Sequence, residues 1–276
     1  MQLTDRGTDR GVRTRHLRVS NEGRVVPGLL WTPAELSPGS GPVPLVALGH
    51  GASRDKTQDV VVALARRLVR HHQVAALAID GPVHGERRAS AGASPQVVFL
   101  EFAQRWAAEG DAMTDQMVAD WRAALDAVAS LPEVDGERLG YWGLSMGTIL
   151  GLPLVAAEPR MQAAVLGLCG LTGPTRERLA RDAQRIGVPV LFIVQWHDEL
   201  FPRDTAFALF DALASADKRL HASPGEHGAV PAEELDHAEA FLAARLRPAN
   251  GRPGQGRAPS DRDQPREAAT ARTSVT

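Results

Sequence analysis

Ser145 stands in Gly143-Leu144-Ser145-Met146-Gly147, a Gly-x-Ser-x-Gly pattern of the kind that presents a serine hydroxyl as a nucleophile. The apolar run Leu139-Gly140-Tyr141-Trp142 precedes it, and residues 148–157 are apolar almost throughout. A strand, a very tight turn and a buried helix are therefore expected, with Ser145 at the turn. Glycines suit both flanks, because a serine held in a strained turn leaves its neighbours no room for a Cβ. The same turn would aim the Met146 N–H and the helix N-terminus at the place where an oxyanion develops. The pattern alone is short enough to arise by chance, so the chemistry needs partners elsewhere in the chain.

A serine nucleophile needs a base to take its proton and an acid to orient that base. Asp198 lies just beyond the apolar run 190–194, in Gln195-Trp196-His197-Asp198-Glu199-Leu200-Phe201-Pro202. His227 lies in Ser223-Pro224-Gly225-Glu226-His227-Gly228, between a short strand and the last helix. Both positions fall on loops at the carboxyl ends of strands, where an open α/β sheet binds its ligands. Glu199 stays open as the alternative acid. His197 reads as a loop residue, His221 comes one element too early to be the base, and His237 reads as a surface residue of the last helix. His71-His72 has no Cys or carboxylate at metal-ligand spacing, so no metal site is expected. Cys169 reads as a small residue near a strand end.

The elements that must position these groups follow from the hydrophobic pattern. Residues 15–20 and 24–31 alternate around Asn21-Glu22-Gly23, which predicts a hairpin. Leu45-Val46-Ala47-Leu48-Gly49 is a strand buried on both faces. Val60, Leu64 and Leu68 recur at helical spacing and lead to a strand at 74–79. Residues 81–110 are irregular, with a helix around 97–108. Met117, Trp121, Leu125 and Val128 mark a long amphipathic helix. Strands at 163–168, 190–194 and 219–221 alternate with helices at 175–185, 203–213 and 232–246. The alternation predicts an α/β fold: a mostly parallel central sheet with helices on both faces and an N-terminal antiparallel hairpin. Residues 169–187 leave room for one short helix, so the fold carries a small insertion (81–110) rather than a large cap. Val97, Val98, Phe99, Leu100 and Phe102 are the apolar candidates for its wall, and Leu144, Met146, Trp196 and Leu171 for the rest of a small apolar substrate pocket.

The chain has 276 residues, 43% hydrophobic and 23% charged, as a soluble globular protein does. A formal net charge of -2 with Arg interspersed among Asp and Glu gives no basic face for nucleic acid. The first residues are polar and Arg-rich without an apolar core of a signal, and no apolar run approaches membrane-spanning length. The single Cys excludes an internal disulfide. A cytoplasmic protein acting on a small molecule is expected, with no cofactor, no nucleic-acid partner and no membrane partner; its oligomeric state stays open. Residues 1–14 read as a flexible N-terminus and 15–248 as the domain. Residues 249–276 read as a disordered tail that has nothing to bury.

With these residues in place the chain resembles the α/β-hydrolases over roughly residues 15–246. Ile186-Gly187-Val188-Pro189-Val190-Leu191-Phe192-Ile193, leading to Asp198 and Pro202, is similar to the acid-bearing strand and loop of that superfamily. Leu48-Gly49-His50-Gly51-Ala52 resembles its His-Gly oxyanion loop. Asp80-Gly81-Pro82-Val83-His84-Gly85 resembles its Asp-x-Pro-x-His-Gly segment, and with Glu86 and Arg87 it is most like the dienelactone-hydrolase-like serine esterases. The resemblance implies a Ser145–His227–Asp198 triad and an oxyanion hole built from the Met146 and Ala52 N–H groups. One departure bears on activity: the family's namesakes carry Cys at the nucleophile position, where this chain has Ser145. It therefore implies a serine esterase working through an acyl-enzyme rather than a lactonase. A peptidase, thioesterase or acyltransferase on the same fold stays open, as does a small-molecule sensor with residual hydrolase activity.

Overall fold

A computed structural model of the chain describes residues 1–36, 39, 41–88 and 92–247. The hairpin forms as expected, with β2 (Val12–Asn21) antiparallel to β3 (Arg24–Pro33). It is extended by β1 (Gln2–Asp9), antiparallel to β2, where a flexible arm was expected over residues 1–14. The side chains of β1 are nearly all exposed. Its pairing rests on backbone hydrogen bonds, which leave no hydrophobic trace in the sequence. The tail expected at residues 249–276 lies outside the described residues, and one compact unit spans Met1–Leu246.

The continuous apolar runs become the middle of a nine-stranded sheet ordered β1-β2-β3-β5-β4-β6-β7-β8-β9. Its parallel strands are β4 (Val43–Gly49), β5 (Ala75–Ile79), β6 (Val134–Gly143), β7 (Met161–Gly167), β8 (Val190–Gln195) and β9 (Lys218–Ser223). Alternate residues of each strand feed separate cores. Leu45, Ala47, Tyr141, Phe192 and Val194 face one, whereas Val46, Leu48, Trp142, Leu191 and Ile193 face the other. The first core is covered by α3 (Asp111–Ala129), α4 (Met146–Ala157), α5 (Arg176–Ala183) and α6 (Arg203–Ala212). The second is covered by α1 (Asp59–His72) and α7 (Glu233–Leu246). Strands with two apolar faces demand helices on both sides, and burying each large side chain contributes about 1.5–3 kcal/mol.

The irregular stretch contains a 3-10 turn (Gly85–Arg87) and α2 (Pro95–Glu109), longer than expected at both ends. Ser94 caps α2 by accepting from the Val97 N–H, and Pro95 fits its first position. Gly110, at φ 51°, ends α2 and turns the chain directly into α3. Among the described residues no helix is long and apolar enough to cross a membrane.

Candidate active site

Ser145 joins β6 to α4 at φ 59° and ψ −121°, a conformation that costs a non-glycine residue of order 1–3 kcal/mol. Local structure holds it there. Its N–H donates to the Gly167 carbonyl at 3.0 Å, and its carbonyl accepts from Ile149 at 3.0 Å. A Cβ on Gly147 would stand 2.9 Å from the Gly49 carbonyl oxygen, and one on Gly143 would stand 2.7 Å from the Tyr141 hydroxyl. The flanking glycines are therefore required by close approach, as expected. Tyr141 and Thr148 were not singled out from sequence. The Tyr141 hydroxyl, wholly buried, donates to the Gly147 carbonyl at 2.6 Å. Thr148 Oγ1 accepts from the Gly167 N–H and reaches the Gly143 carbonyl, each at 2.8 Å.

The three residues of the expected triad come together from three loops at the carboxyl end of the sheet. His227 Nε2 lies 2.9 Å from Ser145 Oγ, and His227 Nδ1 lies 2.8 Å from Asp198 Oδ2. The other Asp198 oxygen accepts from the N–H groups of Leu200 and Phe201 at 2.8 and 2.9 Å, which fixes the carboxylate before it meets the imidazole. Glu199 points elsewhere: its carboxylate accepts from the His227 backbone N–H at 2.8 Å, and that bond holds its pKa below the ordinary value. The His227 ring lies against Phe201, with centroids 5.7 Å apart.

Ala52 and Met146, the expected oxyanion donors, are both buried beside Ser145. Among the described residues neither N–H has an internal acceptor, which leaves two buried donors for a ligand. The loop carrying Ala52 is fixed from beneath. The His84 ring sits between two carbonyls, with Nε2 2.8 Å from that of Ala52 and Nδ1 2.5 Å from that of Pro82. His50 Nε2 accepts from the Gly81 N–H at 2.9 Å, so its proton sits on Nδ1 and points to the Gly51 carbonyl. Burial pushes the His50 pKa down to about 3 and lowers that of His84 as well. Asp80 is a structural carboxylate, and its principal partner is one the sequence did not suggest. The Lys56 ammonium meets it at 2.7 Å, and the Lys56 and Glu86 N–H groups donate to it. Gly85, at φ 50°, has no room for a Cβ against the Asp80 carboxyl.

Two cavities open on Ser145. The smaller, about 220 Å³, is walled by Ala52, Met146, Ile149 and Phe201 on the sheet side and by Phe99, Phe102, Ala103 and Trp106 of α2. The larger, about 920 Å³, lies on the His227 side and includes Trp142, Leu144, Phe99, Leu200 and Val230. Leu144 thus takes its expected place, whereas Trp196 and Leu171 line neither cavity. Trp196 is turned toward α6, with the Arg203 guanidinium 4.0 Å from its ring and Phe207 against its edge. Leu171 packs against the core with its N–H on the Thr205 carbonyl. In the expected wall, Phe99 and Phe102 contribute while Val97 and Leu100 are exposed. Trp106 was missed, although Phe99, Phe102, Ala103 and Trp106 share one helical face.

Cys169 is fully buried, and burial pushes its thiol pKa up to about 12, so it stays protonated and unreactive. His71 and His72 have no carboxylate at metal-ligand spacing along the sequence, but Glu239 of α7 reaches both across the fold. A second grouping, His221, Glu234 and His237, brings three more ligand-type atoms within 4.8 Å of one another. Spacing along one chain segment cannot reveal either, because each joins two elements.

The chain is similar to known proteins over most of its length. Residues 100–238 match the dienelactone hydrolase family. A cold-adapted esterase from an Arctic intertidal metagenomic library, solved as a PEG-bound complex, is 37% identical. The match covers 90% of this chain and 100% of that one, with a TM-score of 0.77. Two more distant structures share the fold. Acetyl xylan esterase from Paenibacillus sp. R4 is 20% identical over 88% of each chain, with a TM-score of 0.69. Dienelactone hydrolase from Anabaena variabilis is 18% identical over 86% of this chain and 97% of its own, with a TM-score of 0.61. No curated protein matches the sequence significantly.

Proposed function

The chain belongs to the dienelactone hydrolase family, and on that premise we propose that it is a serine esterase that cleaves small carboxylic esters through an acyl-enzyme. The observation that carries the reading is the continuous path from Ser145 Oγ to His227 Nε2 at 2.9 Å and from His227 Nδ1 to Asp198 at 2.8 Å. The 37%-identical neighbour, named an esterase, supports the reaction class.

In the first half-reaction Ser145 Oγ attacks the ester carbonyl carbon and gives its proton to His227 Nε2. Asp198 keeps the imidazole oriented and stabilises the imidazolium. The carbonyl oxygen takes up the negative charge and is met by the Met146 and Ala52 N–H groups, each such donor being worth about 3 kcal/mol. Collapse of the tetrahedral species breaks the ester C–O bond, and His227 passes its proton to the departing alkoxide. Water then attacks the acyl-enzyme, His227 takes a proton from it, and the carboxylic acid and free Ser145 are released.

The cavities suggest how substrate is divided. The leaving oxygen must face His227, so in this reading the alcohol takes the 920 Å³ cavity and the acyl chain the 220 Å³ cavity lined by Met146. The acyl side is the short one, closed by Phe102 and Trp106. Denaturing quench of the enzyme during turnover of p-nitrophenyl acetate, followed by peptide mass spectrometry, tests the acyl-enzyme. An acetyl group on Ser145 is expected; full turnover with no covalent adduct at any time would reject the mechanism.

A further inference from the structure

Glu234 lies in the first turn of α7, yet its side chain is 7% exposed. A carboxylate so buried needs compensating charge. Among the described residues no lysine or arginine supplies it. Its partners are two imidazoles: His221 of β9, with Nδ1 2.9 Å from Glu234 Oε2, and His237 of α7, with Nδ1 3.4 Å from the same oxygen. Unlike a guanidinium or an ammonium, an imidazole can offer a nitrogen lone pair, and these three side chains bring their ligand-type atoms within 4.8 Å of one another.

We propose that His221, Glu234 and His237 bind a divalent transition-metal ion of the zinc class. Two imidazole nitrogens and one carboxylate oxygen form a donor set that zinc takes readily. Zinc–ligand bonds of about 2.0–2.2 Å in a tetrahedron separate the ligand atoms by roughly 3.4 Å. The 3.4 Å contact already has that spacing, and the 2.9 Å contact needs a small opening. His237 is 51% exposed, which gives the ion an entry path and solvent to complete its coordination.

The neighbouring His71, His72 and Glu239 grouping supplies a contrast. There the Arg67 guanidinium bonds Glu239 and Asp236, so a fixed cation already balances the carboxylate and would repel a second. The Glu234 site also has a consequence for the protein. β9 precedes the loop that carries His227 and α7 follows it, so an ion held by both elements ties the two ends of that loop. Glu234 itself lines the larger cavity together with His227.

The test is calorimetric titration of the untagged, full-length protein with zinc chloride, alongside melting curves with and without zinc. Wild type should bind one zinc per chain and melt at a higher temperature when loaded. His237→Ala, at an exposed helical position, and the near-isosteric Glu234→Gln should each weaken binding by more than about tenfold and abolish the thermal shift. His71→Ala/His72→Ala should leave both unchanged. His227→Ala should also retain the site, which separates this proposal from the catalytic one. The proposal is overturned if no saturable binding occurs, if His237→Ala and Glu234→Gln bind as tightly as wild type, or if binding disappears with His227.

Discussion

The backbone N–H of His227 donates to Glu199 at 2.8 Å, while the ring of the same histidine is held by the adjacent Asp198, also at 2.8 Å. Two neighbouring carboxylates thus divide one residue between them, the first fixing its loop and the second its imidazole. Asp198→Asn should lower kcat by about four orders of magnitude, because the amide favours the wrong imidazole tautomer. Glu199→Gln keeps an acceptor at an exposed backbone bond and should cost less than about tenfold. Steady-state kinetics on one p-nitrophenyl ester decide the matter; a large loss in Glu199→Gln with Asp198→Asn benign would exchange the two roles.

Trp106 closes the smaller cavity beside Ser145, held by a 3.2 Å hydrogen bond from its indole N–H to Thr175 and stacked on Phe102. Catalytic efficiency on p-nitrophenyl esters should peak at short acyl chains in the wild type. Trp106→Ala should move the optimum to longer chains, with each accommodated methylene contributing about 0.8 kcal/mol. A wild-type profile that rises steadily to long chains, or an optimum unmoved in Trp106→Ala, would show that the acyl group lies elsewhere.

The architecture was readable because its parallel strands are apolar on both faces and its helices on one. The grouping of Ser145, His227 and Asp198 was readable because each follows a strand at the same end of the sheet. What escaped the sequence shares a physical cause: it depends on contacts between distant segments or on the backbone alone. Lys56 meets Asp80 only after β4 and β5 align side by side, and Glu239 meets His71 only after α7 lies across α1. β1 pairs through its backbone, so its polar residues resembled a loose arm. Trp196 follows β8 as the sequence suggested, but Arg203 and Phe207 draw its ring away from the serine.

His50 has its pKa pushed down to about 3 by burial and stays neutral in the folded protein across the neutral and mildly acidic range. The unfolded chain protonates the same ring near pH 6.5. Between those values the unfolded state binds more protons, so stability is full above about pH 6.5 and declines as pH falls below it. One such group removes about 1.4 kcal/mol per pH unit, roughly 2 kcal/mol by pH 5. His84, shifted the same way, adds to the loss. Urea midpoints measured from pH 8 to pH 5 should decline in the lower part of that range; a flat profile would mean that these rings are charged in the folded state.

The central claim is that Ser145 is the nucleophile, activated by His227. Labelling with a fluorophosphonate probe, followed by peptide mass spectrometry, tests it most directly. The account predicts one adduct per chain, on Ser145, formed in step with loss of esterase activity. Labelling should slow sharply in His227→Ala, and no adduct should form in an inactive Ser145→Ala protein. An adduct on another residue, or undiminished hydrolysis by Ser145→Ala, would contradict it.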